Sequence, residues 1–199
     1  MTTGARRDLH GAILDATETL LARCGYRQMT MDAIAREAGV ARRTIYLHFA
    51  GKEEVALSSI DRVVERLLEE LRGLACERAS ASERVHAMLV RRVLFRFDSV
   101  RDYYQSFTEM FAAIRPIYLA RREGYFAAEA ALFATVLEEG IQEGAFVIAE
   151  AEATAHTLLL ATNALLPFSL SARELGAREV VEGKVRTVAD LLLRGLRAG

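Results

Sequence analysis

Residues 25–52 constrain the fold of this chain more than any other stretch. They read Gly-Tyr-Arg-Gln-Met-Thr-Met-Asp-Ala-Ile-Ala-Arg-Glu-Ala-Gly-Val-Ala-Arg-Arg-Thr-Ile-Tyr-Leu-His-Phe-Ala-Gly-Lys. Thr30 is placed to cap a short helix, and Asp32 puts an acid in its first turn. Ile34, Ala35 and Ala38 form its buried stripe, and Gly39 ends it where a left-handed residue costs least. A third helix follows over roughly Ala41 to His48, with Val40, Ile45 and Phe49 facing inward. Lys52 then heads a long helix. This is the pattern of a helix-turn-helix, which presents its second helix to the DNA major groove. In a chain of 199 residues the pattern occupies only one end, so the remainder needs a second role.

The rest of the chain is patterned for helices alone. Leu9, Ile13, Ala16, Leu20 and Cys24 recur at helical spacing before Gly25 supplies a stop. Beyond Lys52, the residues Val55, Ile60, Val63, Leu67, Leu71 and Leu74 continue one apolar face, long enough to join head to body as a rod. Ser80 and Glu83 make a capping box for the next helix. Further segments are expected near 100–113, 116–140, 150–170 and 174–197. Pro116 suits a first-turn position, and Gly140 with Gly144 suggests a fraying helix end followed by a turn. No run alternates with period two. The expectation is an all-α chain of about nine helices. Residues 1–52 would form a three-helix DNA-binding domain and residues 53–199 a larger effector-binding and dimerisation domain.

Charge supports this division. The net charge is −1, but residues 1–52 carry eight basic against five acidic side chains. An excess of three positive charges at one end focuses attraction for phosphate there. The cysteines Cys24 and Cys76 sit in no CxxC or Cys/His cluster, so no disulfide scaffold, metal site or cofactor is expected. The N-terminus lacks a signal-peptide core. The most apolar stretch, 153–166, is interrupted by His156, Thr157, Thr162 and Asn163 and stopped by Pro167, too short and polar for a membrane span. The reading is a cytoplasmic protein that does not engage a membrane.

The second helix of the motif has an anchored face, Ile45 and Phe49. Arg42, Arg43, Thr44, Leu47 and His48 are left for its outer face, with Tyr46 at the edge. Ala41 stands where a capping Ser or Thr would be worth about 1 kcal/mol. Arg42 and Arg43 place positive charge at the positive end of the helix dipole, unfavourable by a few tenths of a kcal/mol each. Breaking local rules without visible compensation is a mark of function, and phosphate or guanine contacts would supply the compensation.

On these residues the chain resembles the TetR/AcrR family of transcriptional regulators. The resemblance is carried by Met31-Asp32-Ala33-Ile34-Ala35, Glu37-Ala38-Gly39-Val40, Thr44-Ile45-Tyr46, Phe49 and Lys52-Glu53-Glu54, within residues 10–58. It implies that Tyr46 and Lys52 contact phosphates, that Arg42, Arg43, Thr44 and His48 touch bases or backbone, and that Thr30 caps the second helix beside the phosphates. The chain departs from the family at Ala41, where a phosphate-binding hydroxyl is usual. It departs at Arg43, where a small residue is common. It departs again at Leu47, which suits a thymine methyl.

Ten of the fifteen aromatic residues fall between Phe95 and Phe133. Tyr103, Phe107, Met110, Phe111 and Ile114 share one helix face, and Tyr125 lies on the next helix. Such a cluster is either plain core or the wall of a small-molecule cavity; family members bind inducers in this region. Tyr103, Phe107, Phe111, Tyr125 and Asn163 are the candidate effector contacts. Arg92 or Arg96 facing inward could hold an anion, and Glu109 a cation. His156 and Asn163, seven residues apart on one face, either line a pocket or hydrogen-bond across a dimer seam. Leu158, Leu159, Leu160, Leu165 and Leu166, with Val181, Val185, Val188, Leu192 and Leu196, make the last two helices apolar on more than one side. In the family those helices pair with their copies in a four-helix dimer interface.

The functional expectation is a homodimeric regulator of palindromic double-stranded DNA. It is a repressor rather than an enzyme, released from its operator by a small, largely apolar effector that tilts the long fourth helix. A DNA-binding accessory protein without effector is one alternative. An enzyme with an appended DNA-binding domain is the other, and no Gly-rich phosphate loop, metal-ligand spacing or nucleophile elbow supports it.

Overall fold

A computed structural model describes residues 2–101, 104–167 and 176–197, with side chains from residue 9 onward except 104–108. Eight α-helices are present among the described residues: α1 (Thr2–Gln28), α2 (Met31–Glu37), α3 (Arg42–Tyr46), α4 (Lys52–Ala75), α5 (Ala81–Val100), α6 (Tyr104–Gln142), α7 (Ala151–Asn163) and α8 (Arg178–Leu196). The described residues include one isolated antiparallel bridge, Phe146 to Arg197, and no strand. The chain divides into two compact units, residues 1–63 with 100–121 and residues 64–99 with 122–199. α4 and α6 each contribute to both.

The first unit is organised by α1, whose Ile13, Leu14, Leu20 and Leu21 are buried. Gly25 (φ 75°) interrupts the helical backbone of α1, as the sequence indicated. Thr30 Oγ1 accepts from the Ala33 N–H at 3.1 Å, capping α2. At the other end of α2, Gly39 has φ 67°. The Gly39 N–H reaches the Arg36 carbonyl and the Val40 N–H the Ala35 carbonyl. These two bonds are the Schellman pair that satisfies the last carbonyls of a helix. Ile34, Ile45, Phe49 and Val55 then close over α1 as a buried set. Arg62 of α4 bonds Asp15 and Glu18, both at 2.6 Å, and the Gly11 carbonyl at 3.3 Å. It thereby ties α4 to α1.

The second unit has its own core. Leu67 and Leu71 of α4, Val85, Met88 and Leu89 of α5, Phe133 and Leu137 of α6, Leu158 and Leu159 of α7 and Leu193 of α8 form it. The expected capping box is formed: Ser80 N–H donates to Glu83 at 2.9 Å, and Glu83 N–H to the Ser80 hydroxyl at 3.3 Å.

Four sequence expectations are corrected. Segments 100–113 and 116–140 are one helix, and Pro116 lies inside it rather than in a first turn. The proline removes the bond to the Ala112 carbonyl, but Ala112 and Pro116 are both exposed, so water can satisfy the freed oxygen. Gly140 is not a fraying end. A Cβ there would come within 2.3 Å of the Phe146 ring and 2.9 Å of Ala81 Cβ, so glycine permits a close approach. Gly144 (φ 73°) is the true cap, with Ala145 and Gly144 N–H groups bonding the Gly140 and Ile141 carbonyls. The apolar residues assigned to a seam are partly turned inward. Val181, Val185, Leu158, Leu159 and Leu166 are buried within their own unit, and Val188, Leu192 and Leu196 are half-buried. The apolar side chains left exposed on these helices are Leu160, Val180 and Leu191. Finally, α7 ends at Asn163, and residues 168–175 of the expected last segments lie outside the described residues.

Candidate nucleic-acid interface and effector region

α3 is five residues long, Arg42–Tyr46, two shorter at its end than the sequence suggested. Leu47 and His48 continue the turn through N–H bonds to the Thr44 and Ile45 carbonyls. Ala41 occupies the N-cap with no side-chain cap bond, as expected. Ile45 and Phe49 are 0% and 2% exposed, while Tyr46 is 45% and Leu47 73% exposed. The helix therefore has one face locked into the first unit and one face open. Arg42 and Arg43 are exposed; Thr44 and His48 are half-buried.

The two arginines differ. Arg42 Nη1 lies 3.0 Å from an Asp32 carboxylate oxygen and Nη2 donates to the Tyr46 hydroxyl at 3.3 Å. Its guanidinium also stands 5.5 Å from the centre of the Tyr46 ring. The Tyr46 bond and the Asp32 charge raise the Arg42 pKa above its ordinary value. The compensation that the sequence seemed to lack is thus present at Arg42, supplied by the acid in the first turn of α2. Arg43 has no such neighbour among the described residues.

Lys52 opens α4 half-buried. Its ammonium sits 4.0 Å over the Tyr26 ring and 3.5 Å from the Arg27 carbonyl. Desolvation lowers its pKa, against the opposing charge of Glu53. Burial, followed by Glu53, pushes the Tyr26 phenol up to about 12. The contacts of Tyr26 with Lys52 and of Asp32 with Arg42 were not foreseen in the sequence. His48 packs in an aromatic group, its ring 6.4 Å from those of both His10 and Phe49. Thr30, Arg42, Arg43, Thr44, Tyr46, His48 and Lys52 all belong to the first unit.

The effector candidates are less gathered. Tyr103 lies outside the described residues, as does the side chain of Phe107. Phe111, half-buried, meets Tyr118 edge-on at 4.9 Å in the first unit. Tyr125 and Asn163 are half-buried in the second. Glu109 is exposed. Asn163 Oδ1 accepts from Arg92 Nη2 at 2.7 Å, within its own unit. His156 packs against Phe126 at 5.2 Å.

Arg92 and Arg96 do face inward, and the anion they meet is part of the chain. Arg92 and Glu129 side chains are each 2% exposed and 2.6 Å apart. Arg92 also donates to the Thr162 hydroxyl at 2.9 Å, and Arg96 pairs with the other Glu129 oxygen. Burial pushes the Glu129 pKa up, but the charges of Arg96 and Arg92 prevail and hold it below the ordinary carboxylate value. Among the described residues no three His, Cys, Asp or Glu side chains gather as a metal site, and no helix is long and apolar enough to cross a membrane.

Residues 13–58, which contain α2, α3 and the start of α4, match the family described as bacterial regulatory proteins, tetR family. The chain is 30% identical over 151 residues to the uncharacterized HTH-type transcriptional regulator YhgD of Bacillus subtilis, spanning 74% of this chain and 76% of that one. It is 34% identical over 80 residues to the fatty acid metabolism regulator protein of the same organism, a match that spans 40% of this chain and only 41% of that relative. In fold it is similar to the transcriptional regulator FadR from Bacillus subtilis in complex with stearoyl-CoA. The TM-score is 0.66 at 19% identity, with 94% of this chain and 98% of that chain covered.

Proposed function

The chain belongs to the tetR family of bacterial regulatory proteins, a family of transcriptional regulators and not of enzymes, and we propose that it is a homodimeric repressor released from a palindromic operator by a small, largely apolar effector. One observation carries the DNA half of this reading: Arg43, Tyr46 and Leu47 stand exposed on a helix whose opposite face, Ile45 with Phe49, is fully buried. A recognition helix needs that combination, because an unanchored helix could not hold side chains to a base-pair register. Arg43 reads a base. Tyr46 and Lys52 hold phosphates, with Thr30 beside them; Arg42, Thr44 and His48 complete the contact surface. Residues 1–52 act as the DNA-binding domain and residues 53–199 as the effector-binding and dimerisation domain, in the cytoplasm where the DNA is.

The dimer forms through α7 and α8, where Leu160, Val180 and Leu191 are exposed and where Val180 also lines an open groove of about 470 Å³ with Leu165, Gly183, Thr187 and Val188 among others. The effector binds in the second unit, with Tyr125 and Asn163 among its contacts. A regulator of similar fold holds stearoyl-CoA, which supports a long apolar ligand. The effector prefers the conformation in which two recognition helices no longer fit successive grooves, and DNA weakens the effector by the same factor.

Fluorescence anisotropy against palindromic and scrambled duplexes tests the reading. A dimer that neutralises about six phosphates gives a slope of log affinity against log salt near −5. A slope near zero, or equal affinity for every duplex, refutes sequence recognition.

A further inference from the structure

We infer that Leu47 determines part of the operator sequence: in each half-site it reads the C5-methyl group of a thymine. This rests on the DNA half of the reading above and adds sequence content to it.

Leu47 is 73% exposed, the most exposed large apolar side chain among the described residues. Ile45 and Phe49, on the other face of the same turn, are buried. Leu47 therefore adds little to the packing of the first unit. Its position is nevertheless fixed. The backbone at Leu47 is helical (φ −76°, ψ −16°), and its N–H bonds the Thr44 carbonyl at 3.2 Å. The N–H groups of His48 and Phe49 both bond the Ile45 carbonyl at 2.9 Å. Helical geometry thus holds through Leu47, although α3 itself ends at Tyr46.

In that geometry residues four apart share one face. Arg43 and Leu47 are such a pair, and both are exposed. They lie about 6 Å apart along the helix, against a base-pair spacing of about 3.4 Å. A helix lying along the groove then sets the two side chains on edges about one to two base pairs apart. What each can read follows from its chemistry. The Arg43 guanidinium matches the two acceptors of a guanine. Leucine neither donates nor accepts a hydrogen bond. The apolar group that a base presents in the major groove is the thymine methyl. Leucine gains by burying that methyl, and it leaves the polar edge of any other base without water or a partner. Both effects select thymine.

The test begins with the duplex that the full-length protein selects from a random pool. Each thymine of that duplex is replaced in turn by deoxyuridine, which removes the methyl and keeps every hydrogen-bonding group. Fluorescence anisotropy then measures affinity. At one thymine per half-site the replacement weakens wild-type binding about fourfold, and in both half-sites together about fifteenfold. Leu47→Ala keeps the Tm of the wild type and binds the thymine and deoxyuridine duplexes equally. Leu47→Met, still apolar, retains most of the preference. The sensitive thymine lies within about two base pairs of the position whose preference Arg43→Ala relaxes. A preferred duplex in which no thymine methyl matters overturns the inference. So does a deoxyuridine effect equal in wild type and Leu47→Ala, because the methyl then acts through the shape of the duplex. A Leu47-dependent thymine several base pairs from the Arg43 position overturns it as well, since the two side chains share one face. Should Leu47→Ala fail to fold, Leu47→Gln, polar and of similar length, takes its place with the same expectation. The underlying reading is decided separately. A pool that yields no preferred duplex defeats sequence recognition and this inference together, whereas a preferred duplex with silent methyls defeats this inference alone.

Discussion

Two arginine–carboxylate pairs, one in each unit, share their chemistry and differ in setting. Arg42 and Asp32 are 56% and 58% exposed; Arg92 and Glu129 are both 2% exposed. The first pair keeps most of its hydration, so it adds little to stability and can open when a phosphate arrives. The second has lost its water and depends on its partners for everything. Its formation gives little net stability, but removing one member leaves a bare charge in the interior. Arg42, at the surface of the head, can thus change partners, and Arg92, inside the body, cannot. A DNA-binding surface needs the first kind, and a packed unit whose helices must keep one register is served by the second.

The largest effect expected from this comparison is at Glu129. Glu129→Gln leaves Arg92 and Arg96 facing a neutral amide, and urea unfolding at pH 7 should show a loss of about 3–5 kcal/mol. The sign with pH follows from the depressed pKa of Glu129. Its contribution is present above the ordinary carboxylate value of 4.5 and is lost as pH falls from there through the lower folded value. The gap between wild type and Glu129→Gln should therefore narrow below pH 4.5. A gap that stayed constant down to pH 3 would mean the carboxylate charge is not what matters.

Next comes Gly140→Ala, which adds a methyl 2.3 Å from the Phe146 ring. Overpacking costs about 1–3 kcal/mol, only partly offset by the better helix propensity of alanine. Operator affinity at 25 °C should be unchanged, because the defect lies in the second unit. Equal stability of the variant would show that Phe146 can swing away freely.

The third contrast is inside the head. Arg43→Ala should weaken the best operator by about 1–3 kcal/mol and relax preference at one position per half-site. Its unfolding free energy should stay within about 0.5 kcal/mol of wild type. Lys52→Ala should weaken all duplexes alike and lower the salt slope by about one per subunit. If Lys52→Ala changed sequence preference and Arg43→Ala did not, the two roles are exchanged.

These predictions depend unequally on the sequence. The helix-turn-helix was readable because its rules are local: Thr30 caps α2 within three residues and Gly39 ends it within the Schellman pair. The capping box at Ser80 was readable for the same reason. Pro116 was not, because a proline tolerated in mid-helix and one in a first turn look alike until the exposure of Ala112 is known. Gly140 was misread because its need arises from Phe146, which returns to it only after the turn at Gly144. The Arg42–Asp32 pair spans ten residues and exists only through the turn at Gly39 between α2 and α3. The Arg92–Glu129 pair joins side chains 37 residues apart and depends on the register of α5 against α6. The sequence allowed Arg92 or Arg96 to face inward and hold an anion, but nothing in a linear pattern paired them with Glu129 rather than with a ligand.

The smallest effect is the most discriminating one for the exposed pair. Asp32→Asn removes the carboxylate 3.0 Å from Arg42 and an acid from the first turn of α2. Stability should change little, because both side chains of the pair are exposed. The consequence for DNA should be larger in kind than in size. Arg42 is left with the Tyr46 hydroxyl alone among its described bonds, and each head gains one positive charge. Binding to scrambled duplexes should strengthen, the salt slope should steepen by about one per subunit, and the ratio of operator to scrambled affinity should fall. This outcome would make Asp32 a restraint on unspecific binding, set against a cation free to change partners. If the variant instead lost operator affinity with no change of slope, Asp32 would be orienting Arg42 for a base. The exposed pair would then resemble the buried one after all, as a fixed element of geometry and not an exchangeable charge.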